Sequence, residues 1–394
     1  MLPEQQEVGM SKARLRFSVI ASVFTLILAG SVWPAGAGYL CAGERAPAAT
    51  LLVPFFRVDL DEPNGETTLV SIANAGSDPV LAHVIVWTDW AEPVLGFYAG
   101  LPADGAKSIN LRDVVALKLP TSPAEFPGCA EATPGISAEQ VRARLAGQLD
   151  PVDGERYSSE REGNQAVGFL TVDVVHRCEA ARGQDITPFD SGYFGPEGVA
   201  GSANVLWGDV LFIDPDGDSA SGSPAVAVPA DADRAAKVGY FYKYVESDRP
   251  RLPKTVRARF MNGGPLATTT SLLVWLGSWT FDGHRVYGDG NYLFEVSNQF
   301  RVGPESGPFL DQGSKPVPAV AFEAPITAFG DDLPQFGTIE LSGRVLDIDF
   351  IFPEQLVVWP VYAADGRFSA AQDAVSVDPS CWDETRSMGT TADP

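Results

Sequence analysis

Short apolar runs, separated by glycine, proline and small polar residues, recur along almost the whole chain. Leu69–Asn74, Val80–Thr88, Ser108–Val115, Val167–Val175, Val205–Ile213, Val238–Tyr244, Val256–Met261, Leu272–Trp275, Ile339–Phe350 and Leu356–Tyr362 have the length of strands and their β-branched or aromatic content. The pattern therefore predicts an all-β protein with mostly antiparallel pairing, for which sandwiches are the natural solution.

One segment breaks the pattern. Ser137 and Gln140 form a capping-box pair, and Val141, Leu145 and Leu149 follow at i, i+4 and i+8, so the spacing predicts a helix over Ser137–Leu149. It lies in an insertion of about 129–165 that is rich in turn residues, including Pro151 and Gly154.

Shifting the chain against itself by 188 residues aligns one motif with another. Phe56 falls on Tyr244, Thr67 on Thr255, Ile72 on Phe260, Asn74 on Asn262, Gly76 on Gly264, Val86 on Val274 and Trp87 on Trp275. Phe169–Val175 falls on Val357–Ala363 under the same shift. A strand, a turn able to visit positive φ, and a second strand ending on tryptophan thus occur twice, which predicts an internal duplication. The expected organisation is a leader over 1–37, a first sandwich over 38–232 and a second over 233–394.

The leader rests on Lys12, Arg14 and Arg16 followed by the uncharged Phe17–Val32 run, with Ala35-Gly36-Ala37 as a signal-peptidase site and Gly38 as the new N-terminus. Met10 is an alternative start that places the charges directly before the apolar run. The run is short for a retained span, and Leu40 before Cys41 does not suit a lipoprotein. The expected product is secreted or periplasmic, without stable membrane insertion after cleavage. An outer-membrane barrel is not expected, because Thr391-Ala392-Asp393-Pro394 is not an aromatic terminal strand.

Charge narrows the partners. With 28 basic and 51 acidic residues the net charge is −23, which repels nucleic acid and anionic membranes. The 45% hydrophobic content suffices for a packed core. In an exported chain the four cysteines read as two disulfides, for which three pairings are possible; the favoured one joins Cys129 to Cys178, across the insertion, and Cys41 to Cys381, near the two termini. No C-x-x-C spacing suggests a metal site instead.

Candidate chemistry is sparse. Asp214, Asp216 and Asp218 alternate as calcium ligands do, with Asp209 as an outside ligand; Ser219 and Ala225 break the EF-hand pattern, and an ion-free Asp-rich turn is the commoner arrangement for such a stretch. His83 and His176 lie in strand patterns as structural imidazoles, and His284 lies in a turn. Gly217-Asp218-Ser219 lacks the flanking glycine of a nucleophile elbow. Trp87, Trp275 and Trp359 read as core, whereas Trp90 and Trp279, just past strand ends, are the candidate ligand-binding aromatics.

Ala363-Ala364-Asp365-Gly366-Arg367-Phe368 reads as a hairpin. Together with the Thr67–Trp90 pattern it resembles the immunoglobulin-like or fibronectin-like modules of exported bacterial proteins. The resemblance implies an architecture and carries no catalytic residue. The sequence thus points to an exported, non-enzymatic structural or adhesion-like binding protein of unknown ligand. The alternative is a carbohydrate-binding module or carbohydrate-active enzyme that uses strand-end Trp and Asp residues against a sugar.

Overall fold

The computed structural model describes residues 46–120, 126, 129, 135–161, 163–178, 187–188, 192–193, 198–230, 252–277, 293–301, 309–317, 320–329, 333–346, 351–364, 368–371 and 375–376. The expected leader, the run Val238–Tyr244, the boundary at 232/233, Cys41, Cys381, Trp279 and His284 lie outside them.

Strands β1 (Thr50–Asp59), β2 (Thr67–Asn74), β3 (Val80–Thr88), β4 (Pro93–Leu101), β5 (Ala106–Asn110), β6 (Gln165–Val175), β7 (Leu206–Asp214), β8 (Ser219–Pro224) and β9 (Val226–Val228) make two sheets. One has the order β4-β3-β6-β1-β9 and the other β5-β2-β7-β8. Further along come β10 (Thr255–Met261), β11 (Thr269–Gly277), β12 (Leu293–Arg301), β13 (Phe309–Val317), β14 (Ala321–Pro325), β15 (Phe336–Leu346), β16 (Ile351–Ala364), β17 (Phe368–Ala371) and β18 (Val375–Ser376). These form a third sheet, β13-β12-β15-β16-β11-β14, with β10 set between β15 and β18 and with β17 on β16. Pairing is antiparallel in all three, as the strand pattern predicts.

Burial explains two kinds of strand sequence. β3 and β6 are buried at nearly every position because their sheet is covered on both faces, so they read as continuous apolar runs. On one side Leu51 of β1 approaches Gly208 of β7; on the other, Phe169 of β6 meets Trp275 of β11 edge to face at 5.9 Å. β7 and β10 have one wet face and alternate. A single apolar cluster holds Trp87, Phe169 and Phe212 together with Trp275 and Trp359.

The offset of 188 reappears in the pairing. β3 meets β6 from Leu81↔Val175 to Thr88↔Gly168, and adding 188 to both members of every pair gives the β11–β16 register from Thr269↔Ala363 to Leu276↔Leu356. Trp87 and Trp275 therefore hold the same place in two like strand pairs. β16 and β17 pair antiparallel with Ala364 opposite Phe368, while the expected turn at Asp365-Gly366 lies outside the described residues.

Two expectations need correction. Ser108–Val115 is not one strand, since β5 ends at Asn110 and α1 (Leu111–Val115) follows. The Asn110 side chain accepts from Arg112 N–H, an N-cap that turns the chain into a helix burying Leu111, Val114 and Val115. The insertion helix α2 (Ala138–Leu145) carries the expected Ser137/Gln140 capping box but stops before Leu149, which is 58% exposed. Gly147 ends it at φ +70°, with Gln148 N–H reaching back to Ala143 O at 3.0 Å. A side chain at Gly147 would collide with Ser159 O, so glycine is also required by packing.

Among the described residues, no helix is long and apolar enough to cross a membrane. The Cys129–Cys178 disulfide is formed, with Cα atoms 5.4 Å apart, and closes the loop that contains α2.

Candidate functional site

Among the described residues, the candidates drawn from the sequence do not assemble into one site. Asp214 turns inward on its own loop, its Oδ1 accepting from Gly217 N–H at 3.0 Å, while Asp216 and Asp218 are exposed. Among the described residues no group of three or more His, Cys, Asp or Glu side chains is arranged to hold a metal ion. Trp90 is half-buried against the core and donates its indole N–H to Ser159 Oγ at 2.8 Å.

Next to Trp90, buried Asp89 ties the insertion to the third sheet. Its carboxylate accepts from Ser159 N–H at 3.1 Å and pairs with Arg161, and its main-chain oxygen accepts from Val320 N–H at 2.8 Å. Burial pushes the Asp89 carboxyl up, with Arg161 and Ser159 acting against that rise. The pairing compensates a buried charge and forms a structural knot.

A second polar group is sealed inside the first sheet. His83 on β3 lies opposite Asp173 on β6, which in turn lies opposite Thr50 on β1. Tyr193 Oη donates to Asp173 Oδ2 at 2.7 Å, and Thr50 Oγ1 donates to Asp173 Oδ1. With its proton committed to Asp173, the Tyr193 hydroxyl must accept from His83 Nδ1–H across 3.1 Å, which fixes the imidazole tautomer. Tyr98 stacks on the ring at 4.7 Å. Burial drives the His83 pKa from 6.5 down to about 3, so the imidazole is neutral. Both His83 and Asp173 have no exposed surface, which makes this row part of the scaffold, in keeping with the structural role read for His83.

Accessible chemistry lies elsewhere, on the outward face of β10 and β15. Their register sets Thr255 opposite Ser342, Arg257 opposite Glu340, Arg259 opposite Thr338 and Met261 opposite Phe336. The first two pairs are polar and satisfied: hydroxyl to hydroxyl at 2.9 Å, then guanidinium to carboxylate at 2.7 Å. The last is apolar and open, with Met261 41% and Phe336 68% exposed, over inward-pointing Phe260 and Ile339. Tyr362 of β16 closes one side, and its hydroxyl donates to Arg259 O at 3.0 Å. Burial raises the Tyr362 pKa and nearby Arg259 lowers it, with burial prevailing, so the phenol stays protonated.

These residues line an open groove of about 370 Å³. Several of its main-chain groups are already committed. Gly337 pairs with Phe260 in the β10–β15 ladder, Arg259 O is taken by Tyr362, and Met261 N–H and O both bond Thr270 Oγ1 at 2.9 and 2.8 Å. The side chains that line the groove offer aromatic rings, a thioether, a hydroxyl and a guanidinium.

The groove lining holds no tryptophan and no carboxylate, the residue types that mark candidate sites in the sequence. The available signal was Met261 at an outward position of the alternating Val256–Met261 run, where a polar residue belongs.

No family model and no curated relative matches the chain. Among solved structures it is similar to the lectin from Pleurotus ostreatus in complex with GalNAc, at 10% identity and a TM-score of 0.16, over 86% of this chain and 84% of that one. So loose a superposition transfers neither fold detail nor ligand.

Proposed function

We propose that the protein is an exported, non-enzymatic binding protein whose ligand docks in the groove between Arg259, Phe336 and Tyr362. The observation that carries this reading is Phe336, held 68% exposed opposite Met261 on a strand ladder whose other face is buried. A folded chain gains nothing in stability from presenting such a pair to water, and apolar surface rimmed by polar groups marks contact sites. The basic leader with its apolar run and the Cys129–Cys178 disulfide support export. Two copies of one immunoglobulin-like unit account for the shared register of β3–β6 and β11–β16.

Ligand screening by thermal shift and NMR on the wild type and on Phe336→Ser tests the reading. Saturable binding, lost in the variant without a change in Tm and without chemical conversion of the ligand, is the expected result. Turnover of the bound ligand would overturn the non-enzymatic assignment, and binding unaffected by Phe336→Ser would overturn the groove.

A further inference from the structure

We infer that Met261 is a site of reversible oxidation by hydroperoxides, and that its sulfoxide weakens docking of apolar ligands in the groove; this rests on the groove being the binding surface. Methionine is rare in this chain. Of its four residues, Met1 and Met10 fall in the expected leader, and Met388 lies outside the described residues. Among the described residues the buried core holds none, although filling gaps between apolar neighbours is methionine's usual use. Met261 stands instead at an outward position of β10, 41% exposed, in the lining of the groove.

The surroundings set the consequence of oxidation. Both polar main-chain atoms of Met261 are held by Thr270 Oγ1, at 2.9 and 2.8 Å, and the residue pairs with Phe336 in the β10–β15 ladder. The thioether can therefore change its chemistry without releasing the strand. Its sulfur lone pair attacks the outer oxygen of a hydroperoxide; the O–O bond breaks, an S–O bond forms, and the leaving oxygen departs with the hydroperoxide proton as an alcohol or water. Sulfur loses two electrons and the peroxide gains them. A dithiol reductase reverses the step, joining two thiols as a disulfide and releasing the oxygen as water. In the sulfoxide a flexible apolar group has become a polar one, set opposite a phenyl ring that is 68% exposed and has no donor to offer it. A ligand packed on Phe336 then loses its apolar neighbour and any sulfur–aromatic contact.

Hydrogen peroxide titration of the purified protein, read by mass spectrometry and by fluorescence of the neutral apolar probe Nile red, tests the inference. One oxygen should be added at Met261 at a rate within about tenfold of that in the urea-unfolded chain, with Tm unchanged, because susceptibility follows exposure. Nile red should bind the untreated protein and lose affinity in Phe336→Ser. Oxidation should weaken binding to the wild type about threefold to tenfold, the range of a sulfur–aromatic contact, and methionine sulfoxide reductase with dithiothreitol should restore it. The affinity of Met261→Leu should not respond to peroxide. Slower oxidation of Met261 than that limit, Phe336-dependent binding that survives oxidation, a loss that the reductase does not reverse, an equal loss in peroxide-treated Met261→Leu, or a loss accompanied by a fall in Tm overturns the oxidation site and keeps the groove. Untreated wild type that binds Nile red no more tightly than Phe336→Ser, or not at all, overturns the groove and the oxidation site's role with it.

Discussion

His83 and Asp173 face each other across adjacent strands, and the hydroxyl of Tyr193 spans them. The pair sits in a fully buried row, so the imidazole cannot charge without opening the fold. Its folded pKa, about 3, lies below the unfolded value of 6.5. The sign follows directly: His83 contributes full stability above pH 6.5 and loses it as the pH falls from there toward 3, by about 1.4 kcal/mol per pH unit. Imidazole NMR of His83 should show no titration between pH 5 and 8, and the Tm should decline below pH 6. His83→Gln should flatten that decline, and an unchanged slope would place the acid sensitivity elsewhere.

Tyr193→Phe deletes the hydroxyl that serves both groups while keeping the ring. Loss of two buried hydrogen bonds, one of them to a carboxylate, should cost about 2–4 kcal/mol in urea unfolding. A cost below about 0.5 kcal/mol would mean that another group takes over the hydroxyl's role.

Phe169 stands between the tryptophans of the two like strand pairs, stacked on Trp87 at 5.8 Å and edge-on to Trp275 at 5.9 Å. Phe169→Ala should cost about 3–5 kcal/mol by cavity formation and alter the near-UV circular dichroism of both indoles. Val357, which the offset of 188 places at the equivalent position, lacks those ring contacts, and Val357→Ala should cost about half as much.

The Cys129–Cys178 bridge spans 49 residues and packs with Leu81, Tyr98, Val175 and Val199. Replacing both cysteines by serine, or adding reductant to the wild type, should lower stability by about 2–4 kcal/mol. Limited proteolysis should then cut first between residues 129 and 178. Cleavage beginning elsewhere would show that the Asp89–Arg161 knot holds the insertion without the bridge.

Much of the scaffold was legible. The Ser137/Gln140 capping box marked the start of α2 because capping is a local bond between residues three apart. The offset of 188 exposed a strand pair whose register repeats, since a two-residue side-chain period leaves a fixed trace in sequence. The switch from strand to helix at Asn110 was hidden, because Ile109, Leu111, Val114 and Val115 suit either element and only the cap separates them. The site was harder to see, because Met261 and Phe336 are apolar letters like any core residue, and Phe336 lies 75 positions from its partner.

The sequence by itself determined that this is an antiparallel β protein with a capped insertion helix, because periodicity and capping act locally, while the choice of Cys178 as the partner of Cys129 among three possible pairings was settled by the fold. Only the tertiary structure decided which apolar residues are core and which are surface. Trp90 is drawn in by Ser159, His83 is sealed beneath Tyr98 and Tyr193, and Phe336 is left open over Met261. Burial depends on which sheet covers which face, and that depends on pairings between strands far apart in the chain.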